Sequence, residues 1–146
     1  MMAHTTAESA RDSGALQESE KLIEELDAAD ILIISTPMHN FTVPSMLKAW
    51  IDQVIRFGCT FQSTPTGKIG LLRNKPVFIV IASGGLFTGK NPTQPDFLTP
   101  YLRAILATIG LKDIHFVTAE AMCRGPEALA AGEAFDRSQI AALLVK

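Results

Sequence analysis

Two uninterrupted apolar runs constrain this chain more than any other feature. Ile31-Leu32-Ile33-Ile34 and Val77-Phe78-Ile79-Val80-Ile81-Ala82 show no alternation with polar residues. A strand with one wet face alternates, so a run without alternation belongs to a strand covered on both faces, as in a parallel sheet between helices. A third strand is predicted at Ile114–Ala119. Helical spacing fills the intervals. Leu16, Leu22, Ile23 and Leu26 predict a helix over 14–28, with Ser13 as its N-cap. Leu47, Trp50, Ile51, Val54 and Ile55 form one stripe opened by Pro44, and Gly58 suits its C-terminal cap. Leu102, Ile105, Leu106 and Ile109 form another, opened by Thr99-Pro100 and closed by Gly110. A last helix is predicted from Pro126, carrying Leu129, Phe135, Ile140 and Leu143.

Helices alternating with strands at this spacing predict βαβ units and a parallel sheet flanked by helices. Residues 59–75 read as loop, punctuated by Pro65, Gly67 and Gly70. Residues 1–13 read as a disordered lead-in and 14–146 as one domain. The first strand is apolar on both sides, yet in the usual progression it lies at an edge. An apolar edge strand is an aggregation hazard, so it is expected to want one or two further strands or another chain beside it.

Composition narrows the function classes. The chain has 146 residues, 47% hydrophobic, with a net charge of −2. That excludes whole-chain disorder and gives no basic face for nucleic acid. No apolar run approaches the ~18 residues of a membrane-spanning helix. The polar first residues contain no apolar signal core, and Cys59 and Cys123 are too few for a disulfide framework. They read as buried or half-buried thiols, and the whole as a cytoplasmic protein.

Ligands of such sheets bind beyond the carboxyl ends of the strands. Two unusual segments are predicted there. The turn-like stretch Thr36-Pro37-Met38-His39-Asn40-Phe41 combines an Asn suited to unusual backbone geometry with Met and Phe surfaces suited to a planar ring. A core-plugging turn fits the same residues. Ala82-Ser83-Gly84-Gly85 lets a ligand approach backbone N–H groups closely, though a tight turn also explains it. His4, His39 and His115 lack metal-ligand spacing, and no metal site is expected. No catalytic side chain is assigned: Ser83 lacks a nucleophile-elbow context, and the glycine-rich dinucleotide and triphosphate loops are absent. Lys48, Asp52 and Arg56 read as a solvated ion-paired face.

From Ser19 to Pro126 the chain resembles the FMN-dependent NADH-azoreductase family of flavodoxin-like quinone reductases. The resemblance rests on Leu26–Asp30, Thr36-Pro37-Met38-His39-Asn40-Phe41, Leu47-Lys48-Ala49-Trp50-Ile51-Asp52, Gly58-Cys59-Thr60-Phe61, Ser83-Gly84-Gly85, Thr99-Pro100-Tyr101-Leu102 and Ala119-Glu120. It implies a flavodoxin-like α/β fold, a three-layer parallel sheet in the order 2-1-3-4-5 with helices on both faces, of which three strands are expected here. It implies a homodimer with FMN at the subunit interface. NADH or NADPH then reduces the flavin, and a quinone or azo compound is reduced in a separate half-reaction, a ping-pong route in which the cofactor carries the chemistry. By the resemblance, Met38, His39, Asn40 and Phe41 contact the isoalloxazine ring, and Ala82, Ser83, Gly84 and Gly85 form the second flavin-contacting loop.

The departures carry expectations too. The family's opening strand, Ser-rich phosphate loop, helix and second strand have no counterpart in these residues, so the chain reads as an N-terminally truncated member. Without donors for the phosphate, FMN affinity is expected to fall by orders of magnitude, each ~1.4 kcal/mol being tenfold. His39 stands where Tyr is frequent, Ala82-Ser83 where Ser-Arg is common, Ser63 where an aromatic is often found, and Phe87 where some members place a polar residue near the flavin. The alternative reading is a non-catalytic flavodoxin-like fragment acting as a dimerisation or binding module.

Overall fold

The structure, a computed structural model, describes residues 16–123 together with 125, 130, 137, 138 and 141. The predicted lead-in, Ser13, His4 and nearly all of the helix from Pro126 lie outside the described residues. Helix α1 spans Gln17–Ala28 and leads into strand β1, Leu32–Pro37. Helix α2 is Ser45–Val54. A hairpin follows, β2 Phe61–Thr64 and β3 Gly67–Gly70. Strand β4 is Val77–Ala82, helix α3 Leu98–Thr108 and strand β5 Ile114–Ala119.

The three predicted strands form one parallel sheet in the order β1-β4-β5. Its register aligns Leu32, Val77 and Ile114 at one end and Pro37, Ala82 and Ala119 at the other. Strand residues Ile34, Val77, Ile79, Ile81 and Ile114 share one core with Leu26, Ile51, Val54, Leu98, Leu102 and Leu106 of the helices. On the opposite face Ile33 is 69% exposed. Among the described residues β1 pairs only with β4, so it is an edge strand, as its place in the progression predicted. A groove of about 180 Å³ opens at its amino-terminal end, lined by Leu22, Leu26, Leu32 and Trp50.

Three local expectations are corrected. The segment 59–75 is not all loop. Phe61–Thr64 and Gly67–Gly70 pair antiparallel around the Pro65-Thr66 turn. The short run alternates weakly, and its strands are held by the Phe57–Phe61 edge-to-face contact and by Lys68 over the Phe61 ring. Second, α2 stops at Val54, before Gly58. The buried Thr60 hydroxyl ends it by donating to Val54 O (2.7 Å) and accepting from Arg56 N (2.9 Å). Third, the expected charged face is divided. Lys48 and Asp52 form an exposed pair, whose hydrogen bond raises the Lys48 pKa. Arg56 instead turns toward α1, reaching Ser19 Oγ and Glu20 Oε1, both at 3.3 Å.

The hairpin is tied to α3 by a close backbone crossing. A Cβ on Gly70 would stand 2.1 Å from Gly110 N, a clash with main chain that only glycine avoids. The other end of the core depends on Lys75, only 3% exposed. A helix ends with carbonyls that lack intrahelical partners. The Lys75 ammonium donates to the carbonyls of Leu26 (2.6 Å), Asp27 (3.0 Å) and Ala29 (2.6 Å), and α1 has no basic residue of its own in the last turn. Replacing it by an apolar side chain leaves those carbonyls without their charged donor. Lys75→Met is therefore expected to lower unfolding free energy by about 3 kcal/mol, read from the midpoint of urea denaturation at constant m-value.

Candidate functional site

The parallel register ends β1 and β4 at one level, so the two segments beyond them lie side by side. Leu32 N bonds Pro76 O and Met38 N bonds Ala82 O (2.8 Å). Even-numbered residues of β1 thus point their N–H groups toward β4, and Pro37 falls on the side facing the open edge. Its missing donor breaks no ladder bond. This is why Thr36 and Pro37 extend the strand, where the sequence suggested that the turn already begins.

The first segment is a tight hairpin turn. His39 and Thr42 exchange both N–H···O bonds at 2.9 Å, and the two residues between them, Asn40 and Phe41, have φ of 47° and 69°. Two successive positive φ values define a type I′ turn, for which Asn at the first position is favoured. Phe at the second is not, since a bulky side chain there is a genuine outlier. Phe41 is held in place by its carbonyl, which accepts from Phe97 N at 3.1 Å. Phe41 is 43% exposed and half-buried Met38 flanks it. Strain of this kind costs about 1–3 kcal/mol and gathers at functional sites.

The second segment leaves β4 at the exposed Ala82 and is tied at every step. Ser83 N donates to Ala119 O, and the Ser83 carbonyl accepts from Met122 N. The buried Ser83 hydroxyl donates to Gly85 O at 3.0 Å. Further on, the Glu120 carboxylate accepts from Phe87 N (2.7 Å), Thr88 N (2.8 Å) and the Thr88 hydroxyl (2.7 Å). Leu86 O accepts from Thr93 N and Gln94 N. Gln94 Nε2 donates to Ser83 Oγ at 2.7 Å and to Met38 Sδ at 3.0 Å. The approach to α3 is closed by Asp96, which accepts from Leu98 N and Thr99 N (2.9 Å each) and from the Thr99 hydroxyl. The helix consequently starts before the predicted Thr99-Pro100.

All eight residues singled out from the sequence, Met38, His39, Asn40, Phe41, Ala82, Ser83, Gly84 and Gly85, thus lie in two adjoining segments at one end of the sheet. Phe87 is different: it is 6% exposed and packs in the core. Ser63 is exposed on the hairpin. Cys59 is half-buried as expected, but Cys123 is exposed, because it follows the last strand into the turn beside Gly84. His115 stacks on Phe78 and meets Asp113 at 2.8 Å, a structural role.

What the site offers is backbone. Among the described residues the N–H groups of Asn40, Phe41, Gly84 and Gly85 have no hydrogen-bond partner, and neither do the His39 ring and the Asn40 amide. Four unpaired donors beside Met38 and Phe41 suit a flat ligand with apolar faces and an edge rich in oxygen and nitrogen. Among the described residues no group of three His, Cys, Asp or Glu side chains is placed to hold a metal ion. No described helix is long and apolar enough to cross a membrane. Gln94 and Asp96 escaped the sequence reading, and Glu120 entered it only as part of the resemblance, without a role. An acid just past an apolar strand, facing a glycine-rich loop, was a signal for Glu120; nothing local marks Gln94.

Comparison with known proteins shows the family. The flavodoxin-like fold profile matches residues 1–143, and the chain belongs to that family. It is 50% identical over 120 residues to the FMN-dependent NADH:quinone oxidoreductase 4 of Pseudomonas fluorescens, covering 82% of this chain and 58% of that protein. With the FMN-dependent NADH:quinone oxidoreductase 2 of Cupriavidus pinatubonensis, identity is 51% over 121 residues, 83% of this chain and 59% of the relative. The chain therefore spans somewhat over half the length of these relatives. Among solved structures, an FMN-dependent NADH-azoreductase from Bacillus anthracis in complex with FMN superposes with a TM-score of 0.75 at 25% identity, covering 97% of this chain and 74% of that one. The expected likeness to azoreductases and quinone reductases is thus found, and with it the flavodoxin-like arrangement of β1, β4 and β5.

The left-handed turn supplies a test of its own. An alanine at a strained positive φ is less stable than a glycine by about 1 kcal/mol, the reverse of the ordinary order. Phe41→Gly should accordingly unfold at higher urea concentration than Phe41→Ala, both variants having lost the same ring.

Proposed function

We propose that this chain carries the flavin-ring site of an FMN-dependent NAD(P)H oxidoreductase of the azoreductase type, which reduces quinones or azo compounds by a ping-pong route. The observation that supports it best is the cluster of unpaired N–H groups at Asn40, Phe41, Gly84 and Gly85, set beside Met38 and Phe41. In this reading Met38, His39, Asn40 and Phe41 line one side of the isoalloxazine, and Ala82, Ser83, Gly84 and Gly85 present main chain to its polar edge. When bound, FMN supplies two-electron chemistry between a nicotinamide and the acceptor. The chain's own contribution is to orient the ring and to meet its oxygen and nitrogen atoms with fixed donors.

The protein acts as a homodimer in this reading. Phe41, Met46 and Phe97 leave 43%, 81% and 61% of their surface exposed. Phe41 and Phe97 are joined by a backbone hydrogen bond. Exposed apolar patches of this kind mark interaction surfaces, and a partner subunit there would also cover the ring site. The low cysteine content agrees with a cytoplasmic setting.

The test is a titration of the purified chain with FMN and, separately, riboflavin, followed by flavin fluorescence, with mass measured by light scattering. Saturable quenching by both flavins, together with a mass of two chains, is the expected result. A folded chain that leaves flavin fluorescence unchanged up to millimolar concentration would overturn the reading.

A further inference from the structure

Among the described residues only one side chain hydrogen-bonds to both ligand-facing segments. Gln94 lies 56 residues from Met38 and 11 from Ser83, and its amide nitrogen meets both, at 3.0 Å and 2.7 Å. The direction of these bonds follows from the partners. The Ser83 hydroxyl proton is already given to Gly85 O, so that oxygen has only lone pairs to offer Gln94. Thioether sulfur is an acceptor only. Both contacts therefore require the NH₂ end of the amide, and its two protons are both used. The opposite end lies beside Gly85: a Cβ there would stand 2.5 Å from Gln94 Oε1. The main chain of Gln94 is itself fixed by its N–H to Leu86 O at 3.1 Å.

We propose that Gln94 is a positioning residue for the flavin ring: its amide clamps Met38 to Ser83 and so fixes the spacing of the two segments that receive the ligand. This rests on the flavin reading above and goes further, since it assigns a residue outside both segments and a physical role for it. The clamp passes from Gln94 Nε2 to Ser83 Oγ and on to Gly85 O, so it anchors the carbonyl end of the Gly84-Gly85 backbone whose two N–H groups are offered to the ligand. It also places the Met38 thioether, a polarizable surface for a ring face. The Ser83 hydroxyl is then an internal link rather than a ligand donor. A side chain at Gly85 would have to displace the amide end of Gln94.

The experiment compares the full chain with Gln94→Leu and Gln94→Met, which keep apolar bulk and lose the amide. In the flavin-free protein, the methyl resonance of Met38 in a [methyl-¹³C]methionine spectrum reports the clamp. In the presence of FMN, the dissociation constant and the visible difference spectrum report its effect on the ring. The expected result is a shifted or broadened Met38 resonance, at least tenfold weaker FMN binding and an altered difference spectrum. The thermal midpoint of at least one variant should stay within a few degrees of the parent. An unmoved Met38 resonance, or FMN affinity within twofold of the parent with an unchanged spectrum, would overturn the proposal. If the parent chain binds no FMN, the functional reading fails on its own, while the Met38 resonance still decides whether the clamp exists. Gly85→Ala adds a check: it should move the Met38 resonance in the parent and much less in a Gln94→Ala background, where the collision is absent.

Discussion

The parallel register between β1 and β4 is the constraint on which the rest depends. It stops both strands at Pro37 and Ala82, and the next hydrogen bond, Met38 N to Ala82 O, joins the two chains just where they leave the sheet. A one-residue slip would turn Ile34 and Thr36 from the core face outward and bring Ile33 and Ser35 inward. It would also direct the proline's missing donor at β4. The apolar runs therefore do two things together. They bury Ile34, Val77, Ile79 and Ile81 in one core, and they deliver two loops to the same place without any loop having to search for the other.

A loop delivered in this way still has to be held. Loops carry backbone groups that must find partners, and holding one conformation costs about 1–2 kcal/mol per residue in backbone entropy. Here polar side chains meet that need. Glu120 takes three donors from Phe87 and Thr88, Asp96 takes the first amides of α3, Lys75 takes three carbonyls at the end of α1, and Thr60 closes α2. Each is a charge-assisted or buried bond of the stronger kind. Against this background the unpaired N–H groups of Asn40, Phe41, Gly84 and Gly85 stand out. The segments that flank them are held by these bonds, and the left-handed Phe41 is kept in spite of its strain.

Sequence periodicity revealed the frame for a simple reason. Period 3.6 and uninterrupted apolar runs are consequences of burial, and burial decided where α1, α2, α3, β1, β4 and β5 lie. The hairpin Phe61–Gly70 escaped because its strands have four residues each and are mostly solvated, so burial left no pattern in them. The end of α2 was misread for a related reason. Gly58 looks like a cap, yet Thr60 does the capping from two residues further on, through a fold-back that no local rule encodes. Met38–Phe41 and Ala82–Gly85 were legible as two segments beyond neighbouring strand ends because the apolar runs stop there, while their expected role toward a flavin came from the family resemblance. Gln94 was not. Its role comes from contacts across 56 residues, and a polar residue in a loop of Gly, Pro, Thr and Asn carries no local mark.

The distribution of ionisable groups says what kind of site this is. The carboxylates nearest the two loops, Glu120 and Asp96, both accept several hydrogen bonds from main chain and hydroxyls, which fixes them as acceptors that hold backbone. The Ser83 hydroxyl is buried and engaged at both its proton and a lone pair. Among the described residues neither Glu120 nor Asp96 pairs with a basic side chain at the loops. What lies there is peptide N–H groups, a thioether, a phenyl ring and the exposed side chain of His39. In the proposed reading such a surface orients a flat polar molecule by its main-chain donors, the division of labour expected where a bound redox cofactor carries the reaction. The strained turn fits the same logic. Asn40 and Phe41 hold positive φ in a turn closed by the two His39–Thr42 hydrogen bonds and tethered by Phe97 N to the Phe41 carbonyl, and both of their amides are left free by it.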